Sequence, residues 1–278
     1  MGLSLARASD VDAVPALVEH EASGSPWADV QRWAAAVSTS DAAERIALLS
    51  LPGGPVSQAL PPARRAAVKA IAGGERRTVA KAPLVVDLSS LWAGPLCGDL
   101  LARTGARVIK VESRARPDGT RSGSPTFFDR MNGRKELCRF DFDDDGDISR
   151  LRALLDEADV VIEASRPRAL RALGIDAHAA AQRGAVWVSL TAYGRGGAEG
   201  MRVGFGDDVA ASAGLVRWGS DGPYPVGDAL ADPLTGVVAA HATVQALDSG
   251  HGALLDVSMY DVAVWARRLG AEMPEFSR

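Results

Sequence analysis

Residues 83–112 read PLVVDLSSLWAGPLCGDLLARTGARVIKVE. The run PLVVDL (83–88) is apolar and too short for a helix of its own, so it predicts a buried strand. Gly94 and Pro95 open a helix, PLCGDLLART, and Gly105 stops it. RVIKVE (107–112) then repeats the strand pattern. Strand, helix and strand in that order predict a mostly parallel sheet with helices on both faces, and the rest of the chain is read outward from this unit.

The alternation continues downstream. A polar Gly/Ser/Pro loop spans about 113–126, and ELCRFDF (136–142) is a third strand. Asp147 is placed to cap the helix ISRLRALLDEA, DVVIEA (159–164) is a fourth strand, and RPRALRALG is a short helix with Gly174 just past its end. VWVSLT (186–191) is a fifth strand. Upstream the texture differs. Ser9 and Ser40 carry N-cap signals, and SPWADVQRWAAAV has apolar residues at helical spacing. LPGGPVSQALPP breaks that pattern, and GGERRTVAK (73–81) reads as a linker. The expected division is therefore a helical N-terminal segment over 1–80 and an α/β domain over 81–278.

The chain has 278 residues, 47% hydrophobic and 24% charged, with a net charge of −4. Such a composition suits a globular protein and gives no basic face for nucleic acid. Cys97 and Cys138 lie far apart, and His20, His178, His241 and His251 are scattered, so no metal site is expected. No apolar signal core opens the sequence and no segment reaches membrane-spanning length, so a cytoplasmic protein is expected.

The turn SSLWAGPLCG lacks the GxGxxG dinucleotide fingerprint. Its Gly94–Pro95 pair still presents backbone N–H groups at a helix start, either as an anion seat or as an ordinary strand-to-helix turn. A second point of interest is GDALADPLTG (227–236), where Asp232 stands directly before Pro233 and an apolar helix. An aspartate there is an N-cap with proline at the first helical position, or it is a nucleophile favoured in its ionised form by the helix dipole. The residues alone leave both readings open, with Asp228 as a loop residue.

Five ordered segments carry a resemblance. VVDLSSLWAGPLCGDLLARTGARVIKVES, MNGRKELCRFDFDDDGD, ADVVIEASRPRALRALGI, VWVSLTAYGRGG and GHGALLDVSMYDVAV together resemble the class III CoA-transferases, which include formyl-CoA transferase, carnitine CoA-transferase and α-methylacyl-CoA racemase relatives. The similarity spans about 83–267. It implies a Rossmann-like large domain and coenzyme A as substrate, with no metal. ADPLTG matches the family's catalytic segment, which places the nucleophile at Asp232. The implied chemistry is a mixed anhydride, then an aspartyl-CoA thioester, then transfer to an acceptor acid.

The resemblance places CoA contacts at Leu91, Trp92, Arg114, Phe140, Ala169 and Arg171. Trp92 stands where some transferases carry glutamine, and Ala164 and Ser165 replace an asparagine–phenylalanine pair. Phe205 falls where the racemase branch uses histidine, with Asp207 and Asp208 nearby, so racemisation is disfavoured. Family members continue past the V-D-V-S strand into a small domain that is expected to be absent downstream here. Residues 1–80 stand in for it as a small-domain remnant, or form an independent helical extension. A homodimer is expected. The alternative to an active transferase is a degenerate CoA-binding module that works beside a full-length partner.

Overall fold

The computed structural model describes residues 1–21, 23–56, 58–62, 65–76, 82–165 and 167–272. The chain forms two compact units. One comprises residues 68–195 and 233–258, the other residues 1–67, 196–232 and 259–278. The expected boundary at residues 80–81 and the linker residues 77–81 lie outside the described residues.

The first of these units is built on a seven-stranded sheet. Its spatial order is Val68–Glu75, His251–Ser258, Val186–Thr191, Val160–Glu163, Leu84–Asp87, Arg107–Ser113 and Glu136–Phe140. All neighbours are parallel except Val68–Glu75, which runs antiparallel to His251–Ser258 along one edge. The five strands expected from apolar runs are all present. Val68–Glu75 is an addition, because its stretch was expected to be helical and then a linker. Two of its residues, Gly73 and Gly74, are required by close approach: a Cβ on either would run into the carbonyl of Ala181 or Gln182.

Parallel strands buried on both faces need apolar residues on both, which explains the continuous runs in place of alternation. On one face, Leu151 and Leu155 of helix Asp145–Glu157 and Ala177, Ala180 and Ala181 of helix Ala177–Gln182 cluster with Val86, Val161, Trp187 and Leu254. Helix Ala93–Arg103 packs on strands Leu84–Asp87 and Arg107–Ser113. The helix after the third strand begins earlier than expected. Asp144, not Asp147, is the N-cap, and its side chain accepts from the Asp147 amide at 2.7 Å.

The second unit is mainly helical. Val14, Leu17, Val18, Val30, Ile46 and Leu51 form its buried cluster, supplied in large part by helices Val14–Val18, Pro26–Ala36 and Thr39–Leu48. Gly2–Leu3 pairs with Gly53–Gly54, and helix Gly206–Ser212 packs against both short strands. A hairpin, Val216–Gly219 with Gly222–Pro225, follows that helix.

Candidate active site

The sheet reverses its chain order between Leu84–Asp87 and Val160–Glu163: one half is filled by strands that follow the former directly, the other by strands that follow the latter together with the early edge strand Val68–Glu75. Crevices outside the carboxyl ends of strands at such a reversal are where open α/β sheets take their ligands. Leu91 and Trp92 lie just past Leu84–Asp87, Arg114 just past Arg107–Ser113, and Phe140 ends its strand. Ala169 and Arg171 are exposed on helix Pro167–Ala172. Of these, Arg114 and Phe140 are joined directly, since the Arg114 amide donates to the Phe140 carbonyl at 2.9 Å. The Phe140 ring is buried in the core cluster, while the exposed Arg114 guanidinium lies 3.6 Å from Asp147.

The turn that carries Leu91 and Trp92 is held from beneath by buried charge. Asp87 and Lys135 are both fully buried, and Lys135 Nζ donates to Asp87 Oδ2 at 2.8 Å, to the Pro95 carbonyl at 2.8 Å and to Asn132 Oδ1 at 3.0 Å. Burial pushes the Asp87 carboxyl up, but Lys135 and Lys110 outweigh it and its pKa is lowered. A second buried pair, Lys110 with Asp118, lies 3.2 Å apart, and Lys110 also donates to the Ser89 carbonyl. Asp118 accepts from the Leu91 amide at 3.2 Å. That bond pins Leu91 in a left-handed conformation, φ 70°, which a leucine rarely adopts. Trp92 meets Phe127 edge to face at 5.0 Å.

Sequence reasoning missed this scaffold. Its signal was a charge inside an otherwise apolar strand: Lys110 in RVIKVE and Glu163 in DVVIEA. Glu163 is fully buried and paired with Arg195 at 2.9 Å. A buried charge in a strand must have a partner, so each was a pointer to a network.

In the helical unit, Asp232 occupies the first turn of helix Ala231–Asp248. The expected N-cap position is therefore corrected inward. A tight turn precedes it, closed by the Asp232 amide donating to the Ala229 carbonyl at 2.8 Å, with Ala229 at φ 42°. Helix Gly206–Ser212 holds this turn. The Gly206 amide donates to Asp232 Oδ2 at 3.1 Å, and Asp207 Oδ1 accepts from the Ala229 amide at 2.8 Å. Gly206 is obligatory there, because a Cβ would collide with both Asp232 Oδ2 and the Ala229 carbonyl. Phe205 precedes it, with the Arg7 guanidinium 5.7 Å from its ring centre. Asp228 is exposed.

Doubly wound topology, with the Leu91–Trp92 turn at the reversal, defines a Rossmann-like α/β protein. Residues 83–273 match the family described as CoA-transferase family III, and the chain belongs to that family. It is 34% identical over 203 residues to a probable fatty acyl-CoA transferase of Mycobacterium tuberculosis, covering 65% of this chain and 50% of that protein. It is 28% identical over 200 residues to a succinate–glutarate CoA-transferase of Agrobacterium fabrum, covering 64% and 50%. A crystal structure of a Mycobacterium tuberculosis protein superposes with a TM-score of 0.64 at 32% identity, over 71% of this chain and 60% of that one. The chain spans about half the length of the curated relatives it matches.

Proposed function

We propose that the protein transfers coenzyme A from an acyl-CoA donor to a carboxylic acid acceptor, with Asp232 as the nucleophile. The observation that carries this reading is the Asp232 carboxylate in a helical first turn, its Oδ2 accepting from the Gly206 amide. The helix start and the amide both favour the ionised form, which is the attacking form. A lone pair of its carboxylate adds to the thioester carbonyl, the C–S bond breaks, and CoA leaves as thiolate with an acyl-aspartyl anhydride behind it. The thiolate then attacks the aspartyl carbonyl and releases the donor's carboxylate. The acceptor carboxylate attacks the aspartyl-CoA thioester, and the returning thiolate completes the exchange while Asp232 is regenerated.

The CoA contacts assigned here are Leu91 and Trp92 toward the thiol end, Arg114 and Arg171 toward phosphate, and Phe140 and Ala169 toward the nucleotide. The exposure of Arg114, just past a strand end, and of Arg171, on helix Pro167–Ala172, supports the phosphate role. The relatives' names span fatty acyl, succinate and glutarate chemistry and select no single acyl group. We also assign a homodimer, which light scattering at micromolar concentration tests.

The deciding experiment compares wild type with Asp232→Asn, using an acyl-CoA donor and hydroxylamine trapping followed by mass spectrometry. Wild type is expected to carry the mark on Asp232. The asparagine variant is expected to lose transfer completely yet still gain thermal stability from CoA, as any native-state ligand requires. Retained transfer in Asp232→Asn would sink the mechanism. Ala164 and Ser165, in place of the family's asparagine–phenylalanine pair, favour one other reading, a CoA-binding module that needs a partner. CoA binding with neither mark nor transfer in wild type would establish that reading instead.

A further inference from the structure

Strand Val160–Glu163 ends on a charge at the sheet reversal, and that charge belongs to a rung. In the parallel register Glu163 stands beside Ser189, and Ser189 beside Asp256, so three neighbouring strands carry polar side chains at one level. All three residues are buried. Apolar strands tolerate such a rung only where its carboxylates meet donors. Arg195 supplies several of them. Its amide donates to Asp256 Oδ1 and Oδ2 at 3.1 and 3.2 Å, and its Nη1 donates to Glu163 Oε1 at 2.9 Å and to Ser189 Oγ at 2.8 Å. Glu163 Oε2 accepts from the Ser165 amide and hydroxyl at 2.8 and 3.0 Å. A turn after Val186–Thr191 brings Arg195 here, with Gly194 at φ 101° and its amide on Thr191 Oγ1 at 2.8 Å.

The rung engages one nitrogen of the guanidinium and leaves two. Nε and Nη2 donate to nothing among the described residues. Neither is sealed from water, and the side chain as a whole is 16% exposed. Planarity aims Nε–H and one Nη2–H in parallel along one edge, a spacing that matches two oxygens of a carboxylate or a phosphate. An ordinary surface arginine must be ordered before it can bind this way. Arg195 is ordered already, by Asp256 at its backbone and by Glu163 at Nη1, so docking costs little more side-chain entropy. Glu163 offsets the arginine's charge from another nitrogen, with both of its own oxygens engaged. The open edge therefore selects by geometry, two parallel donors against two acceptor oxygens, and a lysine is no equivalent.

We propose that this edge of Arg195 is an oxyanion-docking site at the sheet reversal, where Nε and Nη2 take the carboxylate of an acid substrate or a phosphate of CoA. Both ligands belong to the transfer reaction proposed above, and the inference rests on that reading for their identity alone.

The test reads binding and not turnover, so its outcome is independent of the outcome for Asp232. Calorimetry on the 278-residue chain compares butyrate with its neutral counterpart butyramide, and CoA with pantetheine, which lacks the phosphates. Arg195→Lys keeps a cation for Glu163 and loses the parallel donors. It should weaken the docking oxyanion, butyrate or CoA, about 10-fold and leave the neutral counterpart unchanged. Whichever of the two falls names the source. In wild type the Arg195 Nε–H resonance should move downfield on saturation with that same probe. The site is refuted if a folded Arg195→Lys binds butyrate and CoA as tightly as wild type, or if butyramide or pantetheine weakens by the same factor. Wild type that binds neither butyrate nor CoA refutes it as well. Should Arg195→Lys not fold, the wild-type resonance decides alone: a shift with butyrate or CoA and none with the counterpart supports the site, and no shift removes it.

Discussion

The turn at Leu91 and the turn at Ala229 both hold a backbone in left-handed conformation beside a residue assigned to chemistry, and they do it by different means. Beneath Leu91 lie two lysine–carboxylate pairs, Asp87 with Lys135 and Lys110 with Asp118, all fully or nearly excluded from water. Around Ala229 the bonds described are an amide-to-carbonyl bond that closes the turn and amide-to-carboxylate bonds from Gly206 to Asp232 and from Ala229 to Asp207. The buried pairs are fixed by packing, and each loses a great deal if one partner is removed. The amide bonds depend on close backbone approach, and their weak point is a Cβ, not a charge. The contrast separates a scaffold that must not move from a loop that must place one carboxylate.

Four substitutions break or sharpen that contrast. Lys135→Met should have the largest effect, about 3–5 kcal/mol of lost stability, because Asp87 would be left buried without its main partner. The folded pKa of Asp87 is lowered, so its favourable contribution is present above the unfolded value near pH 4 and is lost as pH falls further. Urea unfolding should therefore show the gap between wild type and variant closing as pH drops below about 4. A gap that widens in acid would contradict the assignment.

Asp208→Asn should act in the opposite direction. The folded pKa of Asp208 is raised to about 7, so the native state holds a proton that the unfolded state releases between pH 4 and 7. Stability falls as pH rises through that window. The asparagine variant should match wild type near pH 4 and gain up to about 4 kcal/mol by pH 8. Denaturant midpoints at the two pH values check it, and an equal change at both would remove the titration from the account.

Gly206→Ala should cost about 1–3 kcal/mol through overpacking against Asp232 Oδ2 and the Ala229 carbonyl. Transfer should drop through kcat with little change in KM for the acyl-CoA, because the collision displaces the proposed nucleophile and not a binding contact. A variant with wild-type kcat would separate the Gly206 amide from the chemistry. The smallest effect is a gain. Leu91→Gly should relieve the left-handed backbone and stabilise the protein by at most about 1 kcal/mol, visible as a small rise in melting temperature.

The central strands were legible because burial on both faces leaves an uninterrupted apolar signature, as in PLVVDL and VWVSLT. The edge strand Val68–Glu75 was not, since VKAIAGGE is mostly exposed and carries the glycines that mark breaks elsewhere. The hairpin Val216–Gly219 with Gly222–Pro225 went unread for a similar reason, with Gly and Pro inside its strands. Asp232 was singled out, as the proposed nucleophile, through the family pattern, whereas its partner Gly206 was invisible. Nothing in a lone glycine says that a carboxylate from a distant segment will lie against its amide. The buried lysines were in plain view and were read only as parts of strands.

The antiparallel edge has a consequence for how the chain comes to be folded. Val68 pairs with Val257 and Lys69 with Asp256, so an early segment must wait for one of the last strands to be synthesised. Pairings this distant along the chain form slowly, because a long loop must close before any bond rewards it. During that delay the segment VKAIAGGE has no sheet to join, while its Lys69 and paired glycines discourage it from pairing with another copy. The sheet is thus finished by a strand that leaves the ribosome before any of the other six and docks among the last.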